Sequence, residues 1–159
     1  MVVGCRLWVI EKAFPTTYNL QPTTYNLVKN IPIGTTHQST VLVTDENAVS
    51  FLGVEGARVL GTPYMIGYLE MTARDSVKPF LDEGYDTVGA RVDVRHLAAT
   101  PIGMRVTFRS ELIGVEDRRL HFKVEAFDQK EKIGEGTHER AIIHVARFAA
   151  RLQSKSAGS

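Results

Sequence analysis

Between Tyr85 and Phe148 the sequence alternates apolar and polar residues through consecutive segments separated only by short polar turns. A period of two sends successive side chains to opposite faces of a strand, so each segment can bury one face and wet the other. In TVGARVDVRHL the residues Val88, Ala90, Val92, Val94 and His96 share one face, with Arg91, Asp93 and Arg95 opposite. MRVTFRSEL sets Val106, Phe108 and Leu112 against Arg105, Thr107, Arg109 and Glu111. LHFKVEAF turns Leu120, Phe122, Val124 and Ala126 inward, and GEGTHERAIIHVARF reads as the last strand. Strands joined by such short turns run antiparallel, and their common apolar face has to be covered.

One other segment is long and apolar enough to cover it. A helix is predicted from about Pro63 to Leu81, with Thr62 as its cap and Pro63 at the first helical position, where a missing N–H costs nothing. Ile66, Leu69, Ala73, Val77 and Phe80 form its buried stripe. Upstream, TTHQSTVLV reads as a strand, and Thr44 followed by DENAVSFLG as a capped short helix broken by Gly53 and Gly56. The order strand, helices, four strands predicts an α+β fold in which an antiparallel β-sheet wraps around one long central helix. Exposed sheet edges predict a homodimer that extends the sheet. Residues 1–34 read as an N-terminal extension that repeats PTTYNL once, residues 35–150 as the folded domain, and residues 151–159 as a flexible tail.

Composition narrows the function classes. The 159 residues carry 19 basic and 18 acidic side chains, a net charge of +1, and the basic ones are dispersed. No field of one sign points to nucleic acid or to a membrane surface. The single Cys5 closes no intrachain disulfide, and no run reaches the roughly 20 apolar residues of a membrane span, so a cytoplasmic protein is expected. His37, His121 and His144 lack metal-ligand spacing, so no metal is expected. No phosphate-binding glycine loop or nucleophile elbow is present.

Several residues could carry chemistry. Glu70 follows Ile66 by four and precedes Ala73 by three, so it projects within the apolar stripe, where a carboxylate is costly unless paired or used. It either pairs with an arginine at the edge of the stripe or serves as an acid or base. His96 lies on the apolar face of its strand, as a hydrogen-bonded core residue or as a catalytic one. A helix laid across the sheet can bring Glu70 toward His96, within one chain or across a dimer, and the two together make an acid/base unit. Thr62 lies roughly 12 Å along a straight helix from Glu70, so the two cannot meet at one atom; they can border one pocket only if the helix starts later or if one of them serves the partner subunit's site. Gly89, isolated in a strand, marks a bulge or a close approach of ligand to backbone. GTHER places His138 and Arg140 on one face and Thr137 and Glu139 on the other, read as a solvated or inter-strand charge pair.

GTPYMIGYLEM, VGARVDVRHLAATPIG and GEGTHERAIIHV, in this order and spacing, resemble the fluoroacetyl-CoA thioesterase family, a branch of the hotdog-fold acyl-CoA thioesterases, from about residue 39 to about 150. The resemblance implies a hotdog fold and a homodimer with active sites at the subunit interface. It implies Thr62, Glu70 and His96 as catalytic residues, and Gly89 and Arg140 as substrate-binding ones. Phe51 and Val54 fall where fluoroacetyl-selective members carry a phenylalanine-rich lid. Here FLGVEGARVLGT keeps Phe51 but continues with Leu52, Val54 and two glycines, so the selective lid is expected to be missing. The implied activity is hydrolysis of a short acyl-CoA to free acid and coenzyme A, with no cofactor beyond the coenzyme A of the substrate. A hotdog enoyl-CoA hydratase or dehydratase, and a noncatalytic acyl-CoA binding domain, are the alternatives.

Overall fold

The structure is a computed structural model that describes residues 31–157; the PTTYNL repeat and Cys5 lie outside the described residues. Strand β1 (Thr36–Leu42) leads through irregular chain to helix α1 (Thr62–Val77). A short 3-10 turn (Lys78–Phe80) precedes β2 (Tyr85–His96), β3 (Arg105–Glu116), β4 (Arg119–Phe127), β5 (Lys132–His144) and helix α2 (Val145–Ser156). The five strands form one antiparallel sheet in the order β1-β3-β4-β5-β2. The edges are therefore β1 and β2.

The inner face of the sheet follows the alternation. Val106, Phe108 and Leu112 of β3 and Leu120, Phe122, Val124 and Ala126 of β4 are all buried, and they pack on Met65, Leu69, Ala73 and Val77 of α1. Burying a side chain of this size contributes about 1.5–3 kcal/mol, which is why the helix lies across the sheet. A bidentate pair fixes its far end. Arg74 donates from Nε to Asp86 Oδ1 at 2.9 Å and from Nη2 to Oδ2 at 2.5 Å, and Lys78 reaches the same carboxylate at 3.2 Å.

Four expectations are corrected. The α-helix stops at Val77 rather than Leu81, because Pro79 has no N–H to continue the ladder; Phe80 is exposed. Residues 45–47 form a turn and Ala48 an isolated bridge to Leu60, not a helix. There Asn47 draws the chain back on itself by accepting from the Thr44 N–H at 2.8 Å and donating to the Leu42 carbonyl at 3.1 Å. The last strand ends at His144, and the chain continues as α2 to Ser156, so residues 151–156 are helical. Val145, Phe148 and Leu152 recur at helical spacing, and the apolar alternation does not extend past His144. Lastly, β2 does not keep one face throughout. A bulge between Gly89 and Arg91 shifts its register against β5, so the apolar residues on either side of it point to different faces. Gly89 is opposite Arg140, Val92 opposite His138 and His96 opposite Gly134. Gly89, Val92, Val94 and His96 thus face α1, while Val88 turns away.

Candidate active site

Helix α1 presents one polar side chain from its first residue and another from its middle. The N-cap is Gly61, not the expected Thr62; Gly61 is extended (φ −73°, ψ 137°) and its carbonyl accepts the Met65 N–H at 3.0 Å. Because glycine holds the cap position, the Thr62 hydroxyl is released from capping. It lies 2.8 Å from His96 Nδ1 instead. The other ring nitrogen, His96 Nε2, is buried and has no hydrogen-bond partner among the described residues. An imidazole held on one side and unpaired on the other can exchange a proton with whatever occupies that side.

Glu70, two turns further along, meets a different set of groups. Its side chain is one-third exposed and Oε1 lies 3.5 Å from Nε2 of the fully buried His138. Gly89 lies directly over the carboxylate. A Cβ at that position would collide with Glu70 Oε1, so only glycine lets the strand approach this closely. Arg140, 5% exposed, stands behind the pair. It donates from Nε to Thr87 Oγ1 and from Nη2 to the Thr87 carbonyl, each at 2.8 Å. Its Nη1 donates to the Glu70 carbonyl at 3.2 Å and to His138 Nε2 at 3.1 Å. Burial pulls the Arg140 guanidinium below its usual value, and the charge of Glu70 opposes that pull. Arg140 therefore braces β2, β5 and α1 from behind the carboxylate.

These contacts define two separate pairs within one chain, Thr62 with His96 and Glu70 with the Gly89, His138 and Arg140 group. Helix α1 already begins at Thr62, so a late start does not shorten the roughly 12 Å of axis between Thr62 and Glu70. On β2, seven residues separate Gly89 from His96, roughly 20 Å of strand. The carboxylate and the imidazole expected to act together are each in place, but not beside each other in one chain. Phe51 and Val54 are 81% and 66% exposed, in a turn segment where Gly53 and Gly56 take positive φ. The residue that sequence reading did not single out as functional is His138. Its inward alternation with Arg140 was visible in GTHER, but nothing in sequence placed Glu70 opposite it.

The outer face of the sheet is a lattice of compensating charges. Glu139 lies 3.6 Å from both Arg91 and Arg119, and Glu125 pairs with Lys123 and Lys132. An open cavity of about 610 Å³ at the β1–β3 edge is lined by residues of both signs, including Arg109, Glu111, Lys123 and Glu125, and by none of Thr62, Glu70, Gly89, His96, His138 and Arg140. Among the described residues, no group of three or more His, Cys, Asp or Glu side chains gathers as metal ligands, and no helix is long and apolar enough to cross a membrane.

A family model described as fluoroacetyl-CoA-specific thioesterase matches residues 43–146, which takes in both pairs. The chain belongs to that family. A fluoroacetyl-CoA thioesterase of Streptantibioticus cattleyicolor is 41% identical over 102 residues, 64% of this chain and 73% of the relative. A solved fluoroacetyl-CoA thioesterase structure superposes with a TM-score of 0.72 at 35% identity, covering 78% of this chain and 96% of the other. A hot-dog-like protein from Thermanaerovibrio acidaminovorans, 22% identical, shares the fold with a TM-score of 0.74 over 82% of this chain and 96% of its own. The helix wrapped by an antiparallel sheet is thus the hotdog fold.

Proposed function

We propose that this family member hydrolyses short acyl-CoA thioesters, and that it does so as a homodimer whose sites combine the Thr62–His96 pair of one subunit with Glu70 and Gly89 of the other. The observation that carries the reading is the division of the catalytic groups into two pairs along β2, an edge strand whose second side is unpaired among the described residues. Two copies of β2 pairing antiparallel about a two-fold axis near Val92 and Asp93, midway between Gly89 and His96, would bring each His96 against the Gly89 region of the other copy. The His96 ring and the carboxylate of the other copy then border one site.

In this site Glu70 takes a proton from water as the water oxygen attacks the thioester carbonyl carbon. The Gly89 backbone N–H, unshielded by a side chain, takes the role of receiving the developing oxyanion. As the carbon–sulfur bond breaks, His96 gives a proton to the departing thiolate, and Thr62 keeps the imidazole aimed. The products are the free acid and coenzyme A, and no metal or separate cofactor takes part. Phe51, Leu52 and Val54 are exposed and do not supply the phenylalanine-rich lid of fluoroacetyl-selective members, so acyl groups other than fluoroacetyl are accepted. The lone Cys5 suits a reducing, cytoplasmic setting.

The test mixes two inactive variants. Glu70→Gln and His96→Ala are each expected to abolish thiol release from acetyl-, fluoroacetyl- and other short acyl-CoA substrates. Unfolded and refolded together, they form mixed dimers with one intact composite site, and about a quarter of wild-type activity returns under random pairing. No recovery in dimers shown to be mixed would place both groups of each site in one chain. Hydration of an enoyl-CoA without thiol release, or tight acyl-CoA binding with neither reaction, would replace the thioesterase reading.

A further inference from the structure

His138 is buried to 1% exposure and is not one of the groups assigned to the reaction above. Its surroundings fix its protonation. Nδ1 lies 2.8 Å from the Arg91 carbonyl, which can only accept, so Nδ1 carries the hydrogen. Nε2 lies 3.1 Å from Arg140 Nη1, which can only donate, so Nε2 carries a lone pair. The imidazole is neutral. The 3.5 Å approach of Glu70 Oε1 to Nε2 is therefore a contact with an acceptor, not an ion pair.

We infer that neutral His138 is a positioning residue for Glu70. It links the β2 bulge at Arg91 to the Arg140 guanidinium, which in turn holds the Glu70 backbone carbonyl. The inference rests on the thioesterase reading for its kinetic consequence, but not for the tautomer. Its parts come from three elements. β2 supplies the Arg91 carbonyl at the bulge, β5 supplies His138 and Arg140, and α1 supplies Glu70, while Phe122 of β4 stacks on the ring at 6.4 Å between centroids. A bulge at this place is functional in the same sense, because it points the Arg91 carbonyl at Nδ1.

Protonation of His138 would undo the arrangement. Nε2–H could no longer accept from Arg140, two cations would touch, and the imidazolium would bind the Glu70 carboxylate it now leaves free. Burial pushes the His138 imidazole below its usual value, and the Arg140 charge pushes the same way; the Arg91 carbonyl, Glu70 and Glu139 oppose them. The neutral form thus persists at neutral pH, and charging of His138 in acid contributes a proton to the acid limb of the rate profile.

Two substitutions separate the halves of the ring. His138→Gln can place an amide oxygen near the Nε2 position and keep an acceptor for Arg140. His138→Asn can keep a donor for the Arg91 carbonyl but leaves Arg140 without its acceptor. If positioning runs through Arg140, His138→Asn loses about tenfold to a hundredfold in kcat/KM, the cost of letting a reacting group drift by up to about 1 Å, while His138→Gln keeps most of the activity. The acid limb of kcat/KM in His138→Gln falls with one proton fewer than in the wild type. Equal losses in the two variants matched by equal falls in melting temperature, or an unchanged acid limb, would reduce His138 to packing and overturn the proposal. Imidazole ¹⁵N shifts of His138 in the wild type report the tautomer even if no thioester is cleaved. A protonated Nε2 at neutral pH would also overturn it, independently of any turnover.

Discussion

Replacing Gly89 with alanine separates placement of the carboxylate from stability of the fold. Gly89 borders the β2 bulge but does not take positive φ, so alanine is not excluded there by a left-handed backbone. The added Cβ collides only with Glu70 Oε1, and the remaining neighbours, Glu70 Cδ and His138 Cε1, are at ordinary contact, 3.4 Å. The oxygen must retreat by about 1 Å to restore a normal contact. It belongs to the end of a flexible, one-third-exposed side chain, so the cost to folding should stay below about 1 kcal/mol. A reacting group displaced by that much costs about a hundredfold in rate, close to 2.7 kcal/mol of transition-state stabilisation. Thiol-release kinetics and thermal unfolding of Gly89→Ala, measured in the wild-type and Glu70→Gln backgrounds, test this. The loss should fall mainly on kcat and largely vanish when Glu70 is already replaced. Near-normal kcat in a folded variant, or an undiminished loss in the Glu70→Gln background, would refute the reasoning.

Thr62→Val removes the hydroxyl from His96 Nδ1 and should lower kcat about tenfold, the worth of one oriented hydrogen bond. Its melting temperature should barely change, because Gly61 caps the helix; a loss of more than about 1 kcal/mol would restore Thr62 as the cap. Asp86→Asn weakens the pair with Arg74 and should cost about 1–2 kcal/mol in urea unfolding at neutral pH. The Arg74 hydrogen bonds hold the Asp86 carboxyl well below the usual carboxylate range. Its contribution is therefore complete above the unfolded value of about 4 and is lost as pH falls through the folded one, so the variant should show a shallower decline of stability in acid. An equally steep decline would remove Asp86 from that account. Recovery of activity on mixing Glu70→Gln with His96→Ala remains the direct measure of a shared site.

Local periodicity made the sheet legible wherever one face is buried. Val106 to Leu112 and Leu120 to Ala126 alternate without interruption, and the structure buries each as read. It failed where a single residue changed the geometry: at the β2 bulge, where the face reverses, and at Pro79, whose missing N–H ends a stripe that otherwise continues. The turn at Asn47 was hidden for another reason. Thr-Asp-Glu-Asn is equally good chemistry for a helix start and for a side-chain-stabilised turn, and the choice is made by the bonds of Asn47 to Leu42 and Tyr68.

The sequence by itself determined the layers, because burial pattern and turn length are local properties: an antiparallel sheet, one covering helix, and Glu70 and His96 turned toward the space between them. It also determined that Thr62 and Glu70 could not converge, since the rise of a helix per residue is fixed. Tertiary structure alone decided the company each group keeps. Gly61 took the cap and released Thr62 to His96. The bulge brought Gly89 over Glu70 and aimed a carbonyl at His138, and Arg140 closed behind them. Those contacts join residues dozens of positions apart, and their geometry depends on how far a strand slips against its neighbour, which the pattern of side chains along one strand does not encode.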